Sequence, residues 1–237
     1  MTFTYDYPRP SVTVDCVIFG LDDFDLKMLL IKRKHPPFEH SWALPGGFVN
    51  EEEDLHTAAL RELEEETGVK DLFIEQLFTF GTPGRDPRGH VITVAYYALV
   101  NLTEHPVKPS TDASEAVWFE LNNLPELAFD HKEIVSVAIA RLKAKVRYQP
   151  IGFQLLPEQF TLFQLRRLYE SILGGQINKR NFRTKILKMG ILKAMGKQED
   201  VPHRPAQLYS FDEARYQEMT EKGMNFEINT IVKKDGE

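Results

Sequence analysis

The stretch Gly47-Phe48-Val49-Asn50-Glu51-Glu52-Glu53-Asp54-Leu55-His56-Thr57-Ala58-Ala59-Leu60-Arg61-Glu62-Leu63-Glu64-Glu65-Glu66-Thr67-Gly68-Val69 runs from a glycine turn into an acidic helix. From Asp54 to Thr67, Leu55, Ala59 and Leu63 recur at helical spacing, and Gly68 stands where a left-handed C-terminal cap belongs. Glu62, Glu65 and Glu66 occupy positions i, i+3 and i+4, so three carboxylates share one helix face. Like charges so placed repel. Either water solvates them as an ordinary acidic surface, or a cation fills the space between them. Hard oxygen ligands with room for water select Mg2+ or Mn2+ over zinc.

Around this helix the sequence period keeps switching. Val12, Val14, Cys16 and Ile18 alternate with Thr13, Asp15 and Val17, and after the turn-like Leu21-Asp22-Asp23 comes Lys27 to Lys32, which predicts two paired strands. Leu44-Pro45-Gly46-Gly47 breaks what precedes it. Phe73 to Phe80 and Val91 to Val100 read as strands separated by the loop Gly81 to Gly89, Trp118-Phe119 as a short strand, and Lys132 to Val146 as a helix. Mixed strands and helices over about 150 residues make one α/β or α+β domain.

The second part reads differently. Leu162, Leu165, Leu168, Tyr169 and Ile172 recur at helical spacing, Gly174-Gly175 forces a turn, and Asn178 caps a second helix to about Met189. Ile191-Leu192 and Gln207 to Phe211 suit the two strands of a ribbon, with Val201 to Pro205 at its tip. On a helical wheel Phe182, Ile186 and Met189 point inward, while Arg180, Arg183 and Thr184 point away, flanked by Lys185 and Lys188. Lys179, Lys193 and Lys197 extend the positive strip. Helix, turn, basic helix and ribbon is the order of a winged helix-turn-helix, whose second helix enters the major groove; the alternative is an accessory domain with a solvated basic face. Charge divides at the same place: residues 1–149 carry 15 basic and 24 acidic side chains, and residues 150–237 carry 14 and 11. Two domains are expected, 1–148 and 149–237, with different partners.

Composition sets outer bounds. The chain has 237 residues, 42% hydrophobic and 27% charged, which excludes a disordered or collagen-like protein and suffices for one large or two modest cores. The single Cys16 excludes an intrachain disulfide and a cysteine-based zinc site, as suits a reducing, cytoplasmic setting. No basic-then-apolar leader opens Met1 to Ser11, and the longest apolar run, Val91 to Val100, is far short of the roughly 20 residues that span a bilayer, so no membrane partner is expected.

Gly47, five residues, Glu53, seven residues, then Arg61-Glu62-Leu63-Glu64-Glu65-Glu66-Thr67-Gly68-Val69 resembles the signature of the Nudix hydrolases at every defining position. The resemblance implies a Nudix fold, a mixed sheet between helices, that binds Mg2+ or Mn2+ and hydrolyses a pyrophosphate linkage. It makes Glu62, Glu65 and Glu66 metal ligands, with a backbone carbonyl near Gly46 or Gly47 completing the set, and Arg61 and Glu53 the ion pair that fixes the helix against its loop. The general base lies in the motif, as Glu66, or on a separate loop. The loop Gly81-Thr82-Pro83-Gly84-Arg85-Asp86-Pro87-Arg88-Gly89 resembles that of ADP-ribose pyrophosphatase relatives, and Arg85 or Arg88 is placed to hold phosphate or ribose, or merely to be solvated. Arg33 at a strand end is a similar case. Trp42 and Phe48 suit either adenine stacking or the core, and Cys16 and His40 suit packing or surface.

Over nearly its whole length, including Ile151 to Pro157 and Lys179-Arg180-Asn181-Phe182-Arg183, the chain resembles the Nudix-related transcriptional regulators. Two functions follow. The first is a Mg2+-dependent pyrophosphohydrolase that cleaves a nucleoside diphosphate sugar, foremost ADP-ribose to AMP and ribose 5-phosphate. The second is a homodimeric repressor that binds double-stranded DNA through Lys179, Arg180, Arg183, Thr184 and Lys188 and uses the Nudix domain as ligand sensor. The complete glutamate set places hydrolysis first, because a sensor needs no water activation.

Overall fold

The structure, a computed structural model, describes residues 6–22, 25–102, 113–199, 202 and 204–228. Two compact units emerge, residues 1–20 with 27–140 and residues 21–26 with 141–237.

The first unit is built on a seven-stranded sheet. Strands β1 (Ser11–Asp22), β2 (Asp25–Arg33), β3 (Trp42–Ala43), β4 (Gly46–Phe48), β5 (Glu75–Phe80), β6 (Val91–Asn101) and β7 (Ala113–Glu120) are ordered β3-β2-β1-β6-β5, with β4 on β1 and β7 on β2. β1 runs through Leu21 and Asp22, which the sequence marked as a turn; Asp23 lies outside the described residues. The hydrophobic run of β1 continues to Leu21, so pairing continues with it. Gly46 and Gly47 do more than end a segment: they begin β4, in register with Asp15 and Val14. A side chain on Gly46 would overlap the Val14 carbonyl oxygen, which makes glycine the condition for that approach.

Helix α1 (Leu55–Thr67) starts where Asp54 accepts the Thr57 N–H at 2.9 Å and ends at Gly68, φ 72°, whose N–H reaches the Glu64 carbonyl. Its apolar face, Ala58, Ala59 and Leu63, is buried against Val14, Cys16 and Ile18 of β1. Burial of one face therefore presents the glutamates along the opposite edge, toward β4. Helix α2 (His131–Tyr148) follows a loop from β7; the division between units passes through it at residues 140–141, ahead of the 148–149 boundary expected from the sequence.

In the second unit α3 (Leu162–Leu173) opens with a capping box between Thr161 and Gln164 and closes on Gly174, φ 72°. α4 (Lys179–Lys188) is capped by Asn178, which accepts the Asn181 N–H. Leu165, Leu168, Tyr169, Ile172, Phe182 and Ile186 form the interior, with the Tyr169 and Phe182 rings 5.9 Å apart. The ribbon is a three-stranded sheet: β8 (Phe160–Thr161), β9 (Leu192–Lys197) and β10 (Gln207–Phe211), ordered β8-β10-β9. β8 is two residues long and leaves no periodic trace. Helix α5 (Glu213–Glu221), capped by Asp212, buries none of its residues, so it carries no apolar stripe to read. Lys193 and Lys197 lie on β9, so they belong to the ribbon rather than to a strip on the helix. At the ribbon tip Val201 and His203 lie outside the described residues. Among the described residues no helix is long and apolar enough to cross a membrane.

Candidate functional site

Arg61 organises the acidic face of α1. Its Nε donates to Glu53 Oε2 at 2.9 Å and its Nη2 to Glu53 Oε1 at 2.6 Å, a bidentate grip; Nη2 also reaches the Phe48 carbonyl at 3.1 Å. Nη1 donates to Glu62 Oε1 at 2.8 Å and to Glu65 Oε2 at 3.1 Å. The Arg61 hydrogen bonds and the Asn50 N–H hold Glu53 down to about 2, and Glu53 in turn raises Arg61 above the usual guanidinium range. One fork thus ties loop, β4 and helix together.

Glu66 is buried, and its Oε2 accepts the Gly46 N–H at 2.8 Å. Burial pushes its carboxyl up to about 8, with repulsion from Glu62 and Asp15 adding to it. Burial likewise raises Glu62, and a side chain on Gly47 would overlap the Glu62 carboxylate. Glu65 is half exposed. Among the described residues no three His, Cys, Asp or Glu side chains converge as a ready-made metal cage. The reason is Arg61, which takes Glu62 and Glu65, while Glu66 turns to Gly46. The donor chemistry nevertheless fits a hard cation: Glu62 and Glu66 are raised by burial, an energetic cost that a divalent ion relieves.

Beside Gly46 and Gly47 a small cavity collects Arg33, Arg85 and Arg88. Arg85 is buried and bound bidentately by Asp130, at 2.7 and 2.6 Å. Arg88 is held by Asp86 and stands over the Phe48 ring at 4.7 Å. Burial pushes Asp86 up, but the Arg88 hydrogen bonds outweigh it and leave that carboxyl low. Among the described residues the Arg33 guanidinium donates to the carbonyls of Pro37 and His35 and to no carboxylate. Both loop arginines are ion-paired and line the cavity; Arg85 is buried there, whereas Arg88 stays partly open to solvent. Trp42 packs edge-on against Phe119 at 4.7 Å and does not line the cavity; Cys16 is buried in the core and His40 is exposed.

Six cavity residues escaped the sequence reading. Asp15 on β1 accepts the Thr93 hydroxyl at 2.6 Å and faces His131 Nε2 at 3.4 Å. His131 Nδ1 accepts the Leu44 N–H at 2.9 Å, which puts the ring proton on Nε2, toward Asp15. Burial holds His131 below the ordinary histidine value. Phe129, Asp86, Thr13 and Leu44 complete the lining. The available signal was chemical: Asp15 is the one charged residue in the stretch Thr13 to Leu21 of β1, all of which is buried.

On α4 the apolar residues Phe182 and Ile186 are buried, and Lys179, Arg180, Arg183, Thr184 and Lys188 are exposed. Among the described residues none of those four cations forms an ion pair, whereas Lys185 reaches Glu227 at 3.9 Å and Arg166 of α3 is bound by Glu170.

Known proteins agree with both halves of this geometry. Residues 9–138 match the NUDIX domain and residues 152–211 the NrtR DNA-binding winged helix domain. The ADPR responsive transcriptional repressor NtrR of Acinetobacter baylyi is 41% identical over 209 residues, 87% of this chain and 84% of the relative. The ADP-ribose pyrophosphatase of Methanocaldococcus jannaschii is 45% identical over 129 residues, 54% of this chain and 73% of the relative. The crystal structure of Shewanella oneidensis NrtR complexed with a 27mer DNA superposes with a TM-score of 0.76 at 33% identity, covering 94% of this chain and 99% of that one.

Proposed function

Because the chain belongs to the NUDIX domain family and carries an NrtR-type winged helix behind its Nudix domain, we propose that it is a DNA-binding regulator whose Nudix cavity senses ADP-ribose. The sequence alone placed hydrolysis first. The relatives reverse that order, since a repressor matches across both domains and a pyrophosphatase over about half of the chain. The observation that carries the regulatory reading is α4: four exposed cations without carboxylate partners among the described residues, on a helix whose other face is buried. An accessory domain has no need to leave such charge uncompensated, whereas duplex DNA supplies phosphates and base edges to match it. A second copy of the chain presents a second such helix to a two-fold related half-site.

Hydrolysis remains as an activity of the same cavity. Nudix domains work with divalent metal ions, and here Glu62, Glu65, Glu66 and the Gly46 carbonyl are the groups that would hold Mg2+ or Mn2+. Such an ion, when bound, neutralises phosphoryl oxygens and acidifies a water. The chain's own part is positional: Arg61 fixes the helix to β4, and the cavity arginines hold the diphosphate derivative beside Gly46. In the metal-free protein burial raises the Glu66 carboxyl to about 8, so binding of the cation there would release its proton.

The test is anisotropy titration of duplexes from the upstream regions of the protein's own genome, with and without ADP-ribose. Sequence-selective binding that weakens steeply with salt, and release by ADP-ribose, are expected. Arg183→Ala costs roughly 1–3 kcal/mol if the residue reads a base edge, while Lys188→Ala lowers affinity uniformly and reduces the salt slope by about one. Absence of any selective binding at low salt refutes the regulatory reading.

A further inference from the structure

Three consecutive residues, Phe129, Asp130 and His131, meet four charged residues of the cavity, Asp15, Arg33, Arg85 and Arg88. Asp130 takes Arg85, His131 faces Asp15, and the Phe129 ring centroid lies 5.0 Å from the Arg33 guanidinium carbon and 5.4 Å from that of Arg88. The same ring meets Phe38 edge-on at 4.7 Å and the His131 ring at 5.3 Å. The segment is fixed to the strand that leads into the glycines: Ala128 N–H donates to the Trp42 carbonyl at 2.8 Å, and Leu44 N–H donates to His131.

Phe129 has φ 53°, in the left-handed region that a bulky side chain avoids. Such a conformation is strained and persists only where its surroundings determine it. Its neighbour Phe38 shares the feature, φ 61°. The ring is therefore held in place at the expense of its backbone, and much of what it touches is cationic.

Arg33 shows what the ring contributes. It has no carboxylate partner among the described residues, and burial together with the nearby Arg88 charge lowers its guanidinium. Two guanidiniums that close repel. Asp86 already neutralises Arg88 and takes two of its donors; an aromatic face attracts both guanidiniums and leaves their remaining N–H edges free. Arg33 uses Nε and Nη2 on carbonyls, and Arg88 uses Nε and Nη2 on Asp86, so among the described residues each keeps Nη1 outside any hydrogen bond.

We propose that Phe129 is a positioning residue: its ring holds Arg33 and Arg88 as two jaws that receive the diphosphate of a nucleoside diphosphate derivative. This rests on the reading above, in which the cavity receives ADP-ribose, and adds the group that sets the spacing of its charges. Leucine at this position keeps the volume and loses the π face; tyrosine keeps both.

The test uses the full-length chain and two measurements on the wild type, Phe129→Leu, Phe129→Tyr, Arg33→Ala and the Phe129→Leu/Arg33→Ala double variant. In the ligand-free protein the arginine Nε–H signals are followed by NMR; the ring current moves those of Arg33 and Arg88 upfield in the wild type and the Tyr variant. Phe129→Leu abolishes these shifts while the melting temperature changes by only a few degrees. Calorimetric titration then shows ADP-ribose binding weakened roughly tenfold in Phe129→Leu, retained in Phe129→Tyr, and weakened in the double variant by less than the product of the two single losses, because Arg88 still depends on the ring. Unchanged arginine signals in Phe129→Leu, unchanged ADP-ribose affinity, or additive losses in the double variant overturn the proposal. If the wild type binds no ADP-ribose while its arginine shifts vanish in Phe129→Leu, the ligand reading fails and the ring's hold on the arginines stands.

Discussion

Glu66→Gln probes the most perturbed acid of the Nudix domain. The carboxyl is buried, accepts the Gly46 N–H, and is pushed from the ordinary 4.5 up to about 8, mainly by burial. In the unfolded chain it ionises near 4.5; in the folded, metal-free protein it keeps its proton until about pH 8. The favourable contribution is thus complete below pH 4.5 and is lost as pH rises through 8. At about 1.4 kcal/mol per pKa unit the whole shift corresponds to on the order of 5 kcal/mol, an upper figure because a charged Glu66 draws in water or moves. Glutamine has no proton to lose, and its amide oxygen can still accept the Gly46 N–H. Urea denaturation in EDTA from pH 5 to pH 9 should therefore find the variant no more stable than the wild type at pH 5 and several kcal/mol more stable at pH 9. Mg2+ should recover most of the wild type's loss at pH 8, since a bound cation replaces the proton. Parallel stability curves for the two proteins across that range would refute the assignment of a buried proton to Glu66.

Two further outcomes follow from the same cavity. His131 is pushed down by burial, so its contribution is present above the ordinary value near 6.5 and is lost on acidification; His131→Gln should remove part of the stability decrease between pH 6.5 and pH 5, measured by thermal melts. Gly47→Ala places a methyl against the Glu62 carboxylate and should weaken Mn2+ binding, followed by electron paramagnetic resonance, by roughly ten- to a hundredfold; unchanged affinity would remove Glu62 from the ligand set.

How far the sequence carried depends on which interactions are local. α1 was legible because its signals are local in sequence: the apolar spacing of Leu55, Ala59 and Leu63, and Gly68 at its end. The basic face of α4 was legible for the same reason, since Phe182 and Ile186 fix its orientation. The cavity was not, because its determinants are distant in sequence. Asp15 meets Thr93 and His131, and Arg85 meets Asp130, across separations that no period records. Arg85 and Arg88 looked alike in a Gly/Pro loop, yet one is buried against α2 and the other leans on Phe48. The strand β8 and the helix α5 fail for another reason: the first is too short for a pattern and the second has no buried face.

The chain uses its basic side chains in two opposite ways, and the contrast constrains how a ligand can act on DNA. In the cavity Arg85 faces Asp130 and Arg88 faces Asp86, leaving Arg33 and Asp15 as the less committed charges, so the lining is nearly balanced. A balanced lining suits a ligand that mixes hydroxyls with a few anionic oxygens, and it binds with weak salt dependence. On α4 the cations stand uncompensated among the described residues, as suits a polyanion whose binding is driven by counterion release. A sugar diphosphate of charge near −2 cannot displace DNA from such a face by charge competition at low concentration. It can act only by binding the DNA-free state more tightly than the DNA-bound state, and DNA must then weaken the ligand by the same factor. A hundredfold reciprocal effect corresponds to about 2.7 kcal/mol, which a few cavity hydrogen bonds supply if they are made in one state and broken in the other. On the function proposed above, hydrolysis by the same cavity would erase the signal as it is read, so the glutamates of α1 would set how long ADP-ribose keeps the protein off DNA, and the arginines how strongly.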